Sequence, residues 1–213
     1  MAKFGVLGSG EVGQELAKGF RGIGHEVRIG SRDPNKLADY TAETKIPSGT
    51  FAEVAKWAEA VVFAVRGIAA EEALRQAGPE NLAGRLVIDT TNPLADTPPR
   101  DGVLQSFTGP NESLMERLQK VAPRARFVKA FNSVGSATMV NPQFAGGKPT
   151  MFYCGDDPGA RAEVAGILER LGWEGADMGT SVAARAIEPL AVLWCIPGFR
   201  EDRWTHAFKL LTR

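Results

Sequence analysis

Glycines at a fixed spacing near the N-terminus are the first pattern in this sequence that could do chemistry. Gly8, Gly10 and Gly13 follow a short apolar run and precede a stretch with apolar residues at helical spacing. Such glycines let a backbone turn tightly and approach a phosphate, whose charge the free amides and the positive helix end stabilise. The turn therefore predicts a dinucleotide site, although the same glycines could merely make a tight turn; it reads Gly8-Ser9-Gly10-Glu11-Val12-Gly13.

The end of the second predicted strand indicates which dinucleotide is bound. An NAD site usually places an acidic residue there to hydrogen-bond the ribose 2′-hydroxyl, but this chain has Ser31 and Arg32. Arg32 can meet a 2′-phosphate with a planar fork of donors, Ser31 can add a hydroxyl, and Lys36 can add a second positive charge. The sequence therefore favours NADP over NAD, unless Ser31 and Arg32 form an ordinary solvated loop.

Small or polar residues also follow three later strands. In an open parallel sheet, ligands bind in the crevice outside the carboxyl ends of the strands. Asn92 and Asn132 offer uncharged hydrogen bonds where a nicotinamide and its substrate would meet, although either residue could simply shape a turn. The three segments are Ala64-Val65-Arg66, Thr90-Thr91-Asn92-Pro93 and Phe131-Asn132-Ser133-Val134-Gly135.

The remaining residues with reactive side chains form no recognisable catalytic or metal pattern. His25 lies in a turn on the opposite edge of the predicted sheet, and His206 has no partner that the sequence identifies. Cys154 and Cys195 are far apart and outside any CxxC pattern, which predicts reduced core thiols rather than a disulfide or a zinc site. We expect no catalytic side chain and no metal.

Apolar strands that alternate with helices must position these residues. This order predicts a parallel sheet covered by helices on both faces, a doubly wound α/β fold of the Rossmann type. The predicted strands are 4–7, 26–30, 60–65, 86–89, 126–131 and 150–154, and the predicted helices are 12–20, 51–58, 71–76, 113–121 and 159–171, with Asp33 and Pro34 starting one more helix.

The pattern changes after Gly179, which suggests a Rossmann domain over 1–180 and a short C-terminal helical segment over 181–213. Residues 183–194 read as a nearly all-apolar helix, and Pro197-Gly198 separates it from the final segment. A helix that is apolar nearly all round needs burial beyond its own sheet, so this tail is expected to pack on a second subunit. The alternative is a tail that caps its own sheet.

Charge balance and length limit the classes of molecule that this protein is expected to bind. The 213 residues contain 25 basic and 25 acidic side chains, which gives no basic face for nucleic acid. We find no apolar run of about 18 residues that would predict a membrane span. The N-terminus enters a strand directly, without the pattern of a signal peptide. A cytoplasmic protein with a small-molecule partner or a second copy is expected.

Taken together, these motifs resemble those of F420-dependent NADP oxidoreductases. The resemblance covers nearly the whole chain, and it is the combination that is specific. Besides the glycine turn it rests on Ile29-Gly30-Ser31-Arg32-Asp33, Thr91-Asn92-Pro93-Leu94, Val128-Lys129-Ala130-Phe131-Asn132, Tyr153-Cys154-Gly155-Asp156-Asp157 and Ile187-Glu188-Pro189-Leu190.

The resemblance implies an NADP-binding Rossmann domain, a short C-terminal helical part and a homodimer. In such enzymes hydride passes directly between C5 of the deazaflavin F420 and C4 of the nicotinamide, so that no side chain need act as acid or base. By the same correspondence the cofactor would be held by Gly8, Ser9, Gly10, Glu11, Val12, Ser31, Arg32, Lys36, Ala64, Val65, Asn92 and Ala130, and the second-substrate pocket bordered by Asn132, Met139, Leu190 and Trp194.

Two segments depart from the family pattern. Arg66-Gly67 stands where family members often carry proline, and the segment from Pro197 to Trp204 is unfamiliar. The acceptor could therefore be F420, another flavin-like compound, or a small carbonyl or imine. A ferric acceptor is a further possibility, because ferric reductases contain a similar module. These 213 residues are also too few for the large helical substrate domain of many related dehydrogenases, so the alternative expectation is a non-catalytic NADP(H)-sensing module.

Overall fold

The N-terminal βαβ unit has the predicted form. A computed structural model describes residues 1–212. Strand β1 (Lys3–Leu7) leads through the glycine turn into helix α1 (Glu11–Gly22), and strand β2 (Glu26–Ser31) pairs with β1 in parallel. Asp33 accepts a hydrogen bond from the amide of Asn35 and so caps the short 3₁₀ turn that begins at Pro34.

A six-stranded, all-parallel sheet forms the centre of the molecule. Besides β1 and β2 it contains β3 (Ser48–Thr50), β4 (Ala60–Phe63), β5 (Leu86–Asp89) and β6 (Arg126–Lys129). The strand order is β3-β2-β1-β4-β5-β6, so the chain reverses direction across the sheet between β1 and β4. This is the doubly wound Rossmann order, with the ligand crevice expected at that reversal. The predicted fold class is confirmed, although the short β3 was not predicted.

Helices cover both faces of this sheet. After α1 these are α2 (Ala38–Thr44), α3 (Phe51–Trp57), α4 (Ala70–Ala77), α5 (Leu114–Val121) and α6 (Pro158–Arg170). One core cluster packs α1 and α6 on one face, and a second packs α3, α4 and α5 on the other. Capping boxes begin α3 at Thr50 and Glu53 and α5 at Ser113 and Glu116.

A second, two-stranded sheet follows the main one. Strand β7 (Thr150–Tyr153) pairs in parallel with β8 (Glu174–Asp177), and the main sheet touches it through a single bridge between Lys129 and Cys154. The predicted strand at 150–154 therefore exists, but it does not join the six-stranded sheet. Strand β8 was not predicted, because its sequence Glu-Gly-Ala-Asp has no apolar alternation.

The C-terminal region differs from its prediction. After a 3₁₀ turn, helix α7 (Ala184–Ile187) leads at Glu188 into α8 (Pro189–Glu201), which continues through Pro197 and Gly198. The prediction that Pro197-Gly198 separates two segments was therefore wrong. A Cβ on Gly198 would lie 2.3 Å from the Trp204 ring, so the returning chain packs against the helix at this glycine.

Residues 202–212 contain no helix, so the helical part of the predicted C-terminal segment ends at Glu201. The amide of Thr150 donates to the Phe208 carbonyl at 2.8 Å, and the Leu210 amide donates to the Thr150 hydroxyl at 3.0 Å. The tail therefore lies beside β7. Arg213, the last residue of the predicted segment, is outside the described residues.

One helical stretch is long and apolar enough to cross a membrane by length and composition, contrary to our expectation. It spans Ser181–Glu201, and its most apolar window of 18 residues has a mean hydropathy of 1.4. The core helix of a soluble protein can have the same length and composition. Here Glu188 and Arg185 within the stretch form ion pairs with Lys129 and Glu116, which fix the stretch to the Rossmann domain.

Candidate functional site

The glycine turn after β1 is shaped by close backbone contacts. Gly8 has φ +141°, and a Cβ there would lie 2.1 Å from the Ala64 carbonyl oxygen. A Cβ on Gly13 would lie 2.1 Å from the carbonyl oxygen of Gly8, so this glycine lets helix and strand pack closely. A Cβ on Gly10 would meet no atom within 4 Å, which leaves open space beside that backbone. The turn thus has the geometry of a diphosphate cradle.

Two unpaired cations stand beside this turn. Ser31 is buried, its hydroxyl lies 3.3 Å from that of Ser9, and it accepts the Asp33 amide at 3.2 Å. Arg32 and Lys36 are exposed, and within residues 1–212 neither side chain has a hydrogen bond or an ion pair. An anion at this rim would therefore meet a serine hydroxyl and two available positive charges.

A cleft runs from these cations along the carboxyl ends of the strands. Its two halves, of about 680 Å³ and about 560 Å³, share Gly10, Ala64, Val65, Arg66 and Ile68. The first, the cofactor half, has further lining residues Gly8, Ser9, Ser31, Arg32, Asp33, Lys36, Phe51, Ala69, Glu72 and Ala73. The second, the acceptor half, adds Glu11, Val12, Gly67, Thr90, Thr91, Asn92, Leu94, Ala95, Asp96, Thr97 and Leu104.

The two predicted asparagines form a reciprocal pair next to the acceptor half. The Asn92 side-chain amide donates to the Asn132 carbonyl at 2.7 Å, and the Asn132 side-chain amide donates to Asn92 Oδ1 at 3.1 Å. Asn132 also donates to the Ile187 carbonyl at 2.9 Å, and so connects the cleft to the C-terminal helices. Phe131, which precedes it, has φ +61°, a conformation that costs about 1–3 kcal/mol and recurs at functional sites.

A buried ion triad lies below this pair. Lys129 Nζ is 2.7 Å from Asp89 Oδ2, 2.8 Å from Glu188 Oε1 and 2.7 Å from the Thr91 carbonyl. Burial alone would lower the pKa of Lys129, but the two carboxylates outweigh it and raise that pKa above its usual value. Asp89 also accepts the amide and the hydroxyl of Thr91, so the triad fixes the loop that carries Asn92.

Glu188 has a second task in the triad. Its carboxylate accepts the amides of Leu114 and Met115 at 2.8 and 3.0 Å, at the first turn of α5. A carboxylate in that position satisfies free amides and interacts favourably with the helix dipole. The triad thereby joins β5, β6, α5 and the C-terminal helices, and its role could not be read from the sequence.

Of the other predicted ligand-binding residues, two are buried and do not line the cleft, and two lie on α8. Met139 and Ala130 are 2% and 0% exposed, and neither lines the cleft; the Met139 carbonyl accepts the indole N–H of Trp173. Leu190 is half-buried on α8. Trp194 packs on Gly135, where a Cβ would lie 2.8 Å from its ring. The assignment of these four residues to ligand binding stays a prediction.

The two histidines have structural partners. Trp194 donates its indole N–H to the His206 carbonyl, and the His206 ring stacks on that of Trp194 with centroids 4.9 Å apart. His25 accepts the Ala2 amide and packs against Phe4. Both histidines thus contact neighbouring groups, as a structural role requires.

Reasoning from the sequence missed part of the cleft wall. Asp96, Thr97 and Leu104 lie in the long Pro- and Gly-rich loop between β5 and α5, and Ile68 and Glu72 follow β4. No periodic pattern marks a loop residue as part of a wall, so only the tertiary structure identifies them.

The thiol of Cys154 is buried, which raises its pKa to about 12, whereas Cys195 is only half-buried. Residues 1–212 contain no cluster of three potential metal ligands.

Comparison with known proteins identifies the family of this fold. The family model "NADP oxidoreductase coenzyme F420-dependent" matches residues 3–93. A crystal structure from Arthrobacter sp. FB24, provisionally assigned as an F420-dependent NADP reductase, superimposes with a TM-score of 0.93 at 35% identity, and each chain is covered completely.

More distant relatives share a part of their length with this chain. Metalloreductase STEAP3 of Rattus norvegicus is 30% identical over 200 residues, which are 92% of this chain but 38% of that protein. A reductive aminase from Aspergillus terreus, in complex with NADPH and ethyl levulinate, superimposes with a TM-score of 0.66 at 20% identity over 93% of this chain and 62% of the aminase. The aminase shares the fold.

Proposed function

This chain belongs to the family of coenzyme F420-dependent NADP oxidoreductases, and on that basis we propose that it transfers hydride directly between NADP(H) and a flavin-like acceptor, coenzyme F420 or a smaller compound. That the protein is an NADP-dependent oxidoreductase follows from its family. The observation that supports the finer proposal is the continuous cleft, with a phosphate cradle in one half and paired amides in the other.

In this proposal the cofactor extends across the carboxyl ends of the strands. Gly8, Ser9 and Gly10 hold the diphosphate together with the first turn of α1, formed by Glu11 and Val12. The 2′-phosphate lies against Ser31, Arg32 and Lys36. Ala64, Val65 and Asn92 line the remainder of the dinucleotide, and the buried Ala130 supports it from below.

The acceptor would lie over the nicotinamide, against the long loop. Leu94, Ala95 and Leu104 give this wall an apolar surface, which suits a flat ring system. NADPH supplies the hydride when it is bound. The chain's own residues would hold the two reactants at contact distance and exclude water from between them. The hydride carries both electrons, and the reduced acceptor would take its proton from the solvent, so the transfer itself requires no acid or base.

The 2′-phosphate assignment has a direct test. We expect Arg32→Ala to raise the Kd for NADPH by about tenfold to a hundredfold, the loss of one or two charge-assisted hydrogen bonds, with little change for NADH. Fluorescence titration of both cofactors measures this, with NADH as the internal control. An unchanged ratio of the two Kd values would contradict the assignment.

A panel of acceptors tests the second substrate. The purified protein would be mixed with NADPH and, separately, with F420, FMN, FAD, a ferric chelate and a cyclic imine, and NADPH oxidation would be followed by absorbance. We expect F420 or a flavin to be reduced fastest. Rapid reduction of the imine alone would contradict a flavin-like acceptor.

Two other functions are outcomes of the same panel. The similarity to a metalloreductase favours a ferric acceptor as the second candidate, and preferential reduction of the ferric chelate would support it. NADPH binding without reduction of any acceptor would instead support a non-catalytic NADP(H)-sensing module.

We further propose a homodimer formed through α8. Helix α8 exposes Leu193 and Phe199 by 54% and 46%, and Val182 just before α7 is exposed by 54%. Several exposed large apolar side chains in one region favour an interaction surface there. Sedimentation velocity should show a dimer that Leu193→Glu converts to monomers, and a monomeric parent protein would contradict the proposal.

A further inference from the structure

One cation lies at the junction of the two halves of the cleft. Arg66 follows β4 and lines both halves, with a side chain that is 70% exposed. In this structure its guanidinium pairs at 2.5 Å with Asp96, which also lines the acceptor half. Asp96 is 69% exposed as well, so the pair is solvated and readily exchanged.

The charges around the glycine turn leave a diphosphate short of positive partners. Glu11 occupies the first turn of α1, where its carboxylate would repel an anion bound to the same helix end. Arg32 and Lys36 line only the cofactor half. Among the described residues that line the acceptor half, Arg66 carries the sole positive side chain.

Close contacts hold the backbone around Arg66, whereas its side chain is exposed. A Cβ on Gly67 would lie 1.9 Å from the Asn92 carbonyl oxygen, so the two loops are in close contact. The Arg66 carbonyl also accepts the Ala69 amide at 2.9 Å. The guanidinium can therefore change partner without moving the chain that carries it.

We propose that Arg66 binds the diphosphate of the dinucleotide, and that it leaves its ion pair with Asp96 to do so. This inference rests on the cofactor placement given above. An arginine binds a phosphate through two parallel hydrogen bonds, which are stronger than a solvated pair with a carboxylate. The exchange also frees Asp96 in the loop that walls the acceptor half.

Equilibrium titrations of charge variants test the proposal. Arg66→Gln should raise the Kd for NADPH and for NADH by the same factor, about tenfold, because both cofactors carry the diphosphate. Adenosine 2′-monophosphate, which lacks it, should compete with NADPH equally well against the parent and the variant. Arg32→Ala should show the opposite pattern, with weaker NADPH and adenosine 2′-monophosphate binding and unchanged NADH binding.

Three further variants complete the comparison. Asp96→Asn should bind both cofactors as tightly as the parent or up to about threefold more tightly, since Arg66 loses its competing partner. Arg66→Lys keeps the charge but not the two parallel hydrogen bonds, so it should restore part of the affinity, which separates lost charge from a misfolded loop. Arg203→Gln, which removes an exposed arginine that is paired with Glu201 and lines neither half of the cleft, is the matched control and should change neither Kd.

The outcomes are distinct. A Kd within twofold of the parent for both cofactors in Arg66→Gln, or a rise for NADPH alone, overturns the proposal. So does a change confined to the KM of the acceptor, which would make Arg66 an acceptor-binding residue. Because the titrations need no acceptor, the expected pattern in a protein that reduces none of the panel would leave Arg66 assigned and reject hydride transfer.

Discussion

The two halves of the cleft are built by different means. The cofactor half depends mainly on backbone geometry within the first βαβ unit, where Gly8 and Gly13 permit contacts that a Cβ would block. The acceptor half depends on side chains that are distant in sequence. Asn92 and Asn132 are 40 residues apart, and Asn132 contacts Ile187 another 55 residues along.

Because of this difference, the two halves of the cleft should tolerate different substitutions. A cradle of backbone amides tolerates many changes in its side chains but no added methyl group where a phosphate must approach. A wall fixed by a buried ion triad instead depends on single charges, since removing one partner leaves the others buried without compensation. Substitutions in the two halves should therefore fail in different ways, one in binding and one in folding.

The largest effect is expected from Lys129→Met in the triad. This substitution leaves Asp89 and Glu188, 0% and 2% exposed, without their cation, and should lower the free energy of unfolding by about 3–5 kcal/mol. Urea denaturation followed by circular dichroism measures the loss. The triple variant with Asp89→Asn and Glu188→Gln removes all three charges and should recover part of it. A loss below about 1 kcal/mol for Lys129→Met would mean that the triad does not fix the acceptor half.

The next effect is expected from Gly10→Ala in the glycine turn, and it should appear in binding alone. Since a Cβ there meets no atom within 4 Å, the fold should be unaffected, but the methyl group occupies the space that a diphosphate needs. The Kd for NADPH should rise by about a hundredfold, equivalent to about 2.7 kcal/mol. Calorimetry gives the Kd, and thermal denaturation gives the stability.

Gly22→Ala is the matched control for that substitution. Gly22 lies at the other end of the same helix, and a Cβ there also meets no atom within 4 Å. Gly22→Ala should leave the Kd for NADPH unchanged. Equal effects of the two alanines on NADPH binding would show that the turn does not bear the diphosphate.

The same contrast explains how far the sequence could predict this molecule. The βαβ unit and its glycine turn were predicted because their signals are local: an apolar run, glycines at fixed spacing and Asp33 before Pro34. The helix that runs through Pro197 could not be predicted by these rules, since proline ordinarily ends or kinks a helix. Packing of Trp204 on Gly198 and hydrogen bonds between Trp194 and His206 hold the returning chain against that helix instead.

The candidate site divides in the same manner. Ser31, Arg32 and Lys36 were predicted to line one rim because they lie at the end of β2 or just after it, and they do line it. Met139 was assigned by resemblance alone, and its burial depends on packing that no motif records. Asp96 and Leu104 lie in a loop without apolar periodicity, so only the tertiary structure shows that they belong to the wall of the acceptor half.

The smallest effect is expected where α5 meets the C-terminal helices, in the dependence of stability on pH. Arg185 donates to both carboxylate oxygens of Glu116, at 2.6 to 3.2 Å, and holds the pKa of Glu116 at about 2, well below its usual value. A carboxyl whose pKa is depressed by folding binds more protons when unfolded, so it stabilises the fold above its usual pKa. That contribution should disappear as the pH falls from about 4.5 to about 2.

Glu116→Gln isolates this contribution from that of the other carboxylates. The difference in unfolding free energy between the parent and Glu116→Gln should be constant near neutral pH and should shrink as the pH falls through that window. Glu80→Gln, which removes an exposed carboxylate that has no ion pair within residues 1–212, is the control measured over the same pH range. A Glu116 difference that is independent of pH would mean that Arg185 does not secure the C-terminal helices, and that the acceptor half depends on the buried triad alone.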